Sequence, residues 1–117
     1  MSAKVFITQE SRSSDYSSAN EYGEVHFITG FEFSPHENSA RNSDILDDLK
    51  KTFDVFDFRK DFLCLAGHPI TCGLVMCRAL KIAEKGGIDK INFLIWDGRN
   101  KKYNRYNLDI FNRLSEN

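Results

Sequence analysis

The chain has 117 residues, of which 41% are hydrophobic and 13% aromatic, and its formal net charge is -1. This length and apolar content predict one folded domain and exclude a disordered chain. A net charge so close to zero gives no general attraction to nucleic acid or to an anionic membrane, so binding to either would need a local patch.

The sequence also indicates where the protein works. Its first residues lack the apolar run of a signal peptide, and no segment has the length of a membrane span. Three cysteines, Cys64, Cys72 and Cys77, lie in apolar segments without a CxxC pair, as reduced core thiols do. We therefore expect a cytoplasmic protein whose residues 1–117 form a single α/β domain.

The amino-terminal half predicts two strands and a helix. Residues 4–8 and 24–29 show strand patterns, and a serine-rich polar loop over residues 11–20 separates them. After a further loop over residues 35–41, Asn42 or Ser43 is predicted to cap a helix that runs to about Phe53. This helix is amphipathic, with one apolar face made of Ile45, Leu46, Leu49 and Phe53.

The carboxyl-terminal half predicts a strand, a helix and a hairpin. Residues 62–66 form a short apolar run that turns at Gly67-His68-Pro69 into a long apolar helix over residues 69–85, which Gly86-Gly87 ends. Residues 91–96 and 103–110 form two strands around an Asp-Gly turn, and residues 112–117 form a C-terminal tail.

The resulting order, β-β-α-β-α-β-β, predicts a mixed sheet with a parallel βαβ core and an antiparallel C-terminal hairpin. The apolar side chains of the last three elements should be buried together between the sheet and its helices. The predicted set is Leu63, Leu65, Leu74, Val75, Phe93 and Ile95.

The second half also resembles a known family. Residues 65–69, the apolar helix with its glycine pair, residues 93–99, Tyr103 and residues 108–110 are similar to a small family of bacteriophage-encoded proteins. Those proteins share the pattern strand, Gly-Asp-Pro, apolar helix, Gly, Lys-Trp-Asp-Arg, Tyr and closing strand. Here His68 replaces the Asp, and Gly98 separates Asp97 from Arg99. The resemblance implies a viral origin and an α/β fold, and it carries no activity.

The turn between the short strand and the long helix is the first candidate site. With Pro69 at the first helical position, the free backbone amides of the helix start favour phosphate or carboxylate. The candidate anion-binding residues are Gly67, His68, Ile70, Thr71 and Cys72. The alternative is that Gly67 only permits a tight turn and His68 only satisfies a backbone group, since most such turns bind no ligand.

The C-terminal hairpin is the second candidate site. It concentrates Trp, Tyr and Arg, the residue types that dominate protein-binding hot spots. The candidate partner-binding residues are Trp96, Asp97, Arg99, Tyr103 and Tyr106. The alternatives are that Trp96 and the tyrosines face the core and that Lys101 and Lys102 only protect an edge strand.

No catalytic or metal motif accompanies these sites. His26, His36 and His68 are far apart in sequence without ligand spacing, and no carboxylate pair, phosphate loop or activated cysteine is evident. We expect no cofactor and no metal.

The sequence thus favours a binding or regulatory protein over an enzyme, with a host or viral protein as its partner. One alternative is a nucleotide- or phosphoester-binding protein, or a weak hydrolase, that uses the Gly67 turn to hold a small anionic ligand. Another alternative is a virion or assembly component. Nucleic acid and membrane are disfavoured as partners.

Overall fold

The computed structural model describes residues 2–10 and 15–110 of the chain. They form a single five-stranded sheet with the order β2-β1-β3-β4-β5 and two α-helices, which confirms the predicted fold class and element order. The strands are β1 (Lys4–Gln9), β2 (Glu24–Thr29), β3 (Phe62–Cys64), β4 (Lys90–Asp97) and β5 (Lys102–Asp109), and the helices are α1 (Ala40–Val55) and α2 (Pro69–Lys85).

The predicted polar loop contains a short helix. Ser17–Glu21 form a 3₁₀ helix, η1, whose Ala19 is fully buried. Residues 11–14 of that loop and the predicted tail over residues 112–117 lie outside the described residues. A single 3₁₀ turn has too few residues to produce a recognisable apolar period, so it could not be predicted from the sequence.

The sheet is parallel except at its last strand. β1 pairs in parallel with both β2 and β3, and β3 pairs in parallel with β4. β4 and β5 form an antiparallel hairpin in which Trp96 lies opposite Tyr103, and Phe93 lies opposite Tyr106. The predicted hairpin is therefore confirmed, and its register assigns each side chain to one face of the sheet.

The two faces of the sheet have different covers. On the helix face, Phe6, Leu63 and Phe93 pack in one apolar cluster with the buried residues of α1 and α2. On the opposite face, called here the η1 face, a second cluster is formed around Val5, Cys64 and Leu94. Among the described residues, two long helices lie on one face and a 3₁₀ turn on the other, so much of the core lies under α1 and α2.

The predicted core was wrong at two positions. Leu63, Val75 and Phe93 are buried and Leu74 packs against them. Leu65 and Ile95, however, are 40% and 52% exposed. The period-2 pattern assigns both to the helix face, but they lie beyond Leu63–Phe93, the pair of the β3–β4 ladder, where the core no longer covers that face.

The start of α1 also differs from the prediction. The helix begins at Ala40 with Ser39 as its N-cap residue, so neither Asn42 nor Ser43 caps it. Asn42 binds the preceding loop instead: its Oδ1 accepts from the backbone N–H of Ser34 at 2.7 Å, and its Nδ2 donates to the carbonyl of the same residue at 2.9 Å. A cap-type side chain inside the helix is explained by this contact, which sequence spacing does not show.

A buried carboxylate joins the beginning of two central strands. Asp61 is 1% exposed. Its Oδ1 accepts from the backbone N–H of Lys4 at 2.9 Å, and its Oδ2 accepts from the backbone N–H of Asp57 at 2.8 Å. These bonds compensate the carboxylate for its loss of water and set β1 beside β3 at the edge opposite the candidate sites.

Candidate functional site

The sheet divides at the carboxyl end of β3. The β3–β4 ladder contains the pair Leu63–Phe93, after which β3 ends at Cys64 while β4 continues to Asp97. The hydroxyl of Thr8, on β1, accepts from the backbone N–H of Ala66 at 2.7 Å and donates to the carbonyl of the same residue. Because both backbone groups of Ala66 are bound on the β1 side, they make no ladder with β4, and a gap opens between the two chains.

This gap is the floor of a groove of about 670 Å³. Such a volume is within the range of ligand-binding clefts, about 300–1,000 Å³. Its walls include Leu65, Ile95, Trp96 and Tyr106, which are 40%, 52%, 46% and 51% exposed. We call this space, between residues 65–66 and the second half of the β4–β5 hairpin, the hairpin groove.

The aromatic side chains of the hairpin groove are held at fixed angles. The rings of Trp96 and Tyr103 meet edge to face, with centroids 5.1 Å apart. Tyr103 is buried, and its backbone carbonyl accepts from the hydroxyl of Tyr22 at 3.0 Å. Trp96 is therefore an exposed ring that rests on a buried one, an arrangement that reduces the entropy lost when a partner covers it.

The predicted hairpin residues do not all share one surface. Trp96 and Tyr103 are directly opposite each other in the ladder, so their side chains share one face. Tyr103 packs in the cluster of the η1 face, so both lie there. Tyr106 lies opposite Phe93 and so belongs to the helix face with Ile95. The groove nevertheless brings Trp96 and Tyr106 together, since the gap beside β4 opens toward both faces.

The polar groups of the groove are few. The hydroxyl of Tyr16 is buried and has no hydrogen-bond partner among the described residues. Burial raises the pKa of the Cys64 thiol to about 11 and also raises the pKa of the Tyr103 hydroxyl, which lies beside it. Both groups are neutral at physiological pH, so the groove has the character of a binding surface, and neither residue is an activated nucleophile.

Asp97 has a structural role in the tip of the hairpin. Its Oδ1 accepts from the backbone N–H groups of Arg99 and Asn100 at 3.0 and 3.2 Å, and its Oδ2 accepts from the side-chain amide of Asn100 at 2.7 Å. The bonds from Asn100 are the largest cause of the lowered pKa of this carboxyl group. With Asp97 directed into the turn, the exposed side chains of Arg99, Lys101 and Lys102 give the tip a basic surface.

The predicted anion site lies at the other side of β3, where the chain changes direction. After β1 the chain passes to η1 on one face, and after β3 it passes to α2 on the other face, so the ends of β1 and β3 form a topological switch point. Gly67 has a φ of 94°, and a Cβ there would lie 2.5 Å from the Cβ of Gln9. The backbone N–H of His68 donates to Oε1 of Gln9 at 2.9 Å, so Gln9 fills the crevice.

His68 itself binds the amides of the helix start. Its Nδ1 accepts from the backbone N–H of Ile70 at 3.1 Å, and its carbonyl accepts from the backbone N–H of Cys72 at 3.1 Å. Thr71 is fully buried, and its hydroxyl has no partner among the described residues. The turn thus brings the predicted residues together, but two of the amides that an anion would use are already bonded within the chain.

Residues 2–10 and 15–110 contain neither a metal-binding cluster nor a membrane-spanning helix. No group of three or more His, Cys, Asp and Glu side chains is placed there to hold a metal ion. None of the helices in this part of the chain is both long and apolar enough to cross a membrane.

Two residues outside the predicted sites proved important to the groove. Thr8 opens it, and Leu65 lines it as an exposed side chain. Thr8 follows a strand pattern in which any β-branched residue would fit, and its bond to Ala66 spans 58 positions of sequence. The only available signal for Leu65 was its place at the end of a short apolar run, which predicted burial instead.

The fold and the groove define a small mixed α/β protein with helical elements on both faces of its sheet and an apolar cleft beside a terminal hairpin. A profile of the Phage Pam3 gp32-like protein family matches residues 3–110, and the chain belongs to this family. The resemblance to a phage-encoded family that the turn and hairpin motifs indicated is thereby confirmed. No curated protein and no solved structure shows a significant match.

Proposed function

We propose that this phage-type protein is a binding protein, which acts in the host cytoplasm by contacting host or viral machinery through the hairpin groove. The observation that carries the proposal is the clustering of exposed apolar side chains. Leu65, Ile95, Trp96 and Tyr106 each expose at least 40% of their surface and line the same groove.

Such a cluster is unusual on a protein that has no partner. Single exposed apolar residues are common, but contiguous apolar patches on soluble proteins are typical of interaction sites. Trp and Tyr are enriched in binding hot spots because they bury a large rigid area while their polar atoms still form hydrogen bonds. Trp96 and Tyr106 are the exposed Trp and Tyr of the groove. The buried ring of Tyr103 packs edge to face against Trp96.

The alternative functions have less support. A nucleotide- or phosphoester-binding role at Gly67 would require an anion to compete with His68 and Gln9 for the same amides. A hydrolase role would require an activated group, whereas the Cys64 thiol has a raised pKa. A role in virion assembly would use the same apolar groove, with a viral protein as the partner.

The proposal is tested by affinity purification from phage-infected host cells. Wild type and a Trp96→Ala, Tyr106→Ala variant are compared, and the recovered proteins are quantified by mass spectrometry. We expect a specific set of proteins whose recovery falls about tenfold or more with the variant, because each lost hot-spot contact is typically worth about 2 kcal/mol. Tyr103 is left unchanged because it is buried.

The matched control is Val55→Ser. Val55 is 61% exposed but lies at the end of α1, outside the groove, so its replacement removes exposed apolar surface without touching the proposed site. Recovery of the same proteins by both groove variant and wild type, with the variant folded, would remove the groove from the function.

A further inference from the structure

We infer that the hairpin groove binds an extended, acidic peptide segment of a partner protein, which pairs with the free edge of β4 as an added strand. This inference rests on the proposed function and specifies the conformation and charge of the partner. Three features of the groove carry it: an unpaired strand edge, apolar side chains on both sides of that edge, and cations beyond its end.

The first feature is the edge of β4. On one side, β4 pairs with β5 along its whole length from Lys90 to Asp97. On the other side, its ladder with β3 contains only the pair at Phe93, so residues 94–97 have no strand partner there among the described residues. Free backbone groups on a strand edge are a template for another strand, and four residues offer about 13 Å of it.

The second feature is the arrangement of apolar side chains beside this edge. Side chains of an added strand alternate between the two faces of a sheet. On the helix face they would meet Leu65 and Ile95, and on the η1 face they would meet Trp96. All three neighbours are exposed, so an apolar residue at each position of the strand would bury surface on either face.

The third feature is the charge at the carboxyl end of β4. A strand that continues past Asp97 reaches the tip of the hairpin, where the side chains of Arg99, Lys101 and Lys102 are exposed. The carboxylate of Asp97 at the same tip keeps its negative charge while it accepts bonds from the turn, so the three cations outnumber it and the tip remains basic. An acidic flank on the incoming segment would therefore be favoured there.

The same features disfavour nucleic acid as the occupant. Aromatic rings beside cations are suited to base stacking and phosphate contacts. However, the groove is lined by aliphatic side chains such as Leu65 and Ile95, which offer no flat ring on which a base could stack. Backbone groups of β4 offer ladder hydrogen bonds that only a peptide can complete along its length.

The test uses a displayed library of random peptides selected on the wild-type protein. Trp96 is the single tryptophan of the chain, so its fluorescence reports directly on occupation of the groove. We expect selected peptides to share alternating apolar residues with an acidic flank and to shift the Trp96 emission to shorter wavelength. The best peptide is then remade with single N-methyl groups, each of which removes one backbone donor.

Strand pairing predicts an alternating result. N-methylation should weaken binding about tenfold at every second position, where the N–H faces β4, and have little effect at the positions between. If every N-methyl peptide binds like the parent while truncation of one peptide side chain abolishes binding, strand addition is wrong and the proposed protein-binding function stands. If no peptide perturbs Trp96, or only an oligonucleotide does so with a steep salt dependence, both proposals are wrong.

Charge reversal at the tip tests the acidic flank separately. A Lys101→Glu, Lys102→Glu variant should weaken binding of the selected peptide about tenfold in low salt. The matched control is Lys50→Glu, Lys51→Glu, since both lysines are exposed on α1, away from the groove. If both variants lose the same peptide affinity, the effect comes from the net charge of the protein, and a local contact between the peptide and the basic tip is contradicted.

Discussion

His68 performs at the start of α2 a role for which an acidic residue is better suited. It is the N-cap residue, and its Nδ1 accepts from the backbone N–H of Ile70. The related phage sequences to which the turn is similar have Asp at this place. An Asp carboxylate caps the same amide and adds a favourable interaction with the helix dipole. The sequence left two alternatives for this turn, an anion site or a tight turn in which His68 only satisfies a backbone group, and the bond to the Ile70 amide is the kind of contact that the second alternative describes.

We therefore expect opposite effects from two substitutions of His68. His68→Asp should raise the free energy of unfolding by about 0.5–1 kcal/mol, and His68→Ala should lower it by about 1 kcal/mol because the cap is lost. Denaturant titration measures both values. A destabilised His68→Asp protein would indicate that the imidazole ring, which lies 5.9 Å from the ring of Phe33, contributes more through packing than through its cap.

Asp97 gives the hairpin tip a dependence on acid. The hydrogen bonds from Asn100 are the chief reason why the pKa of this carboxyl group lies below its usual value. A carboxyl group whose pKa is lower in the folded than in the unfolded state stabilises the fold at every pH above the unfolded pKa. This stabilisation is lost as the pH falls through the folded pKa. We expect the backbone amide signal of Asn100 to move as the pH falls below about 4.

An Asp97→Asn variant is the control for this titration, because its side chain carries no charge over the same range. The amide signal of Asn100 should then be independent of pH. A wild-type signal that also stays constant down to about pH 2 would contradict the role of the carboxylate in the turn.

At the scale of elements, β3 shows what sequence periodicity can and cannot predict. The apolar run over residues 62–66 gave the correct place and the correct faces for this strand. It overestimated its length, since β3 ends at Cys64. The end is set by the hydroxyl of Thr8, which lies on another strand and takes both backbone groups of Ala66. A bond between residues so far apart in sequence leaves no local pattern.

Two truncations distinguish the paired part of β3 from the part beyond it. Leu63→Ala should lower the free energy of unfolding by about 2–5 kcal/mol, because Leu63 is fully buried and its removal leaves a cavity. Leu65→Ala should cost less than about 1 kcal/mol, because the side chain is 40% exposed. Thermal or denaturant unfolding compares them. Equal losses would mean that the groove is closed in solution and that Leu65 belongs to the core.

At the scale of the whole molecule, the sequence predicted the class and the order of elements but not the order of strands in the sheet. Strand patterns, the two ends of α2 and the Asp-Gly turn are local features, and each was recognised. The arrangement β2-β1-β3-β4-β5 depends on which strands meet across long loops, and it decides both where the switch point lies and where the groove opens. The hairpin residues were predicted from residue types alone. The gap beside β4, whose groove both Trp96 and Tyr106 line, could not be predicted in that way.

The position of β1 has a consequence for how the protein is made. Although β1 leaves the ribosome before β2, β3, β4 and β5, it lies between β2 and β3 in the finished sheet. During synthesis, β2 follows β1 closely and can pair with one edge of β1. The partner for the other edge of β1 is β3, which emerges only after α1 has been made. The Asp61 carboxylate that binds the Lys4 amide emerges at the same late stage. Until then β1 has an open edge in the crowded cell, so the speed at which residues 40–64 emerge limits how long the nascent chain can pair with a wrong strand.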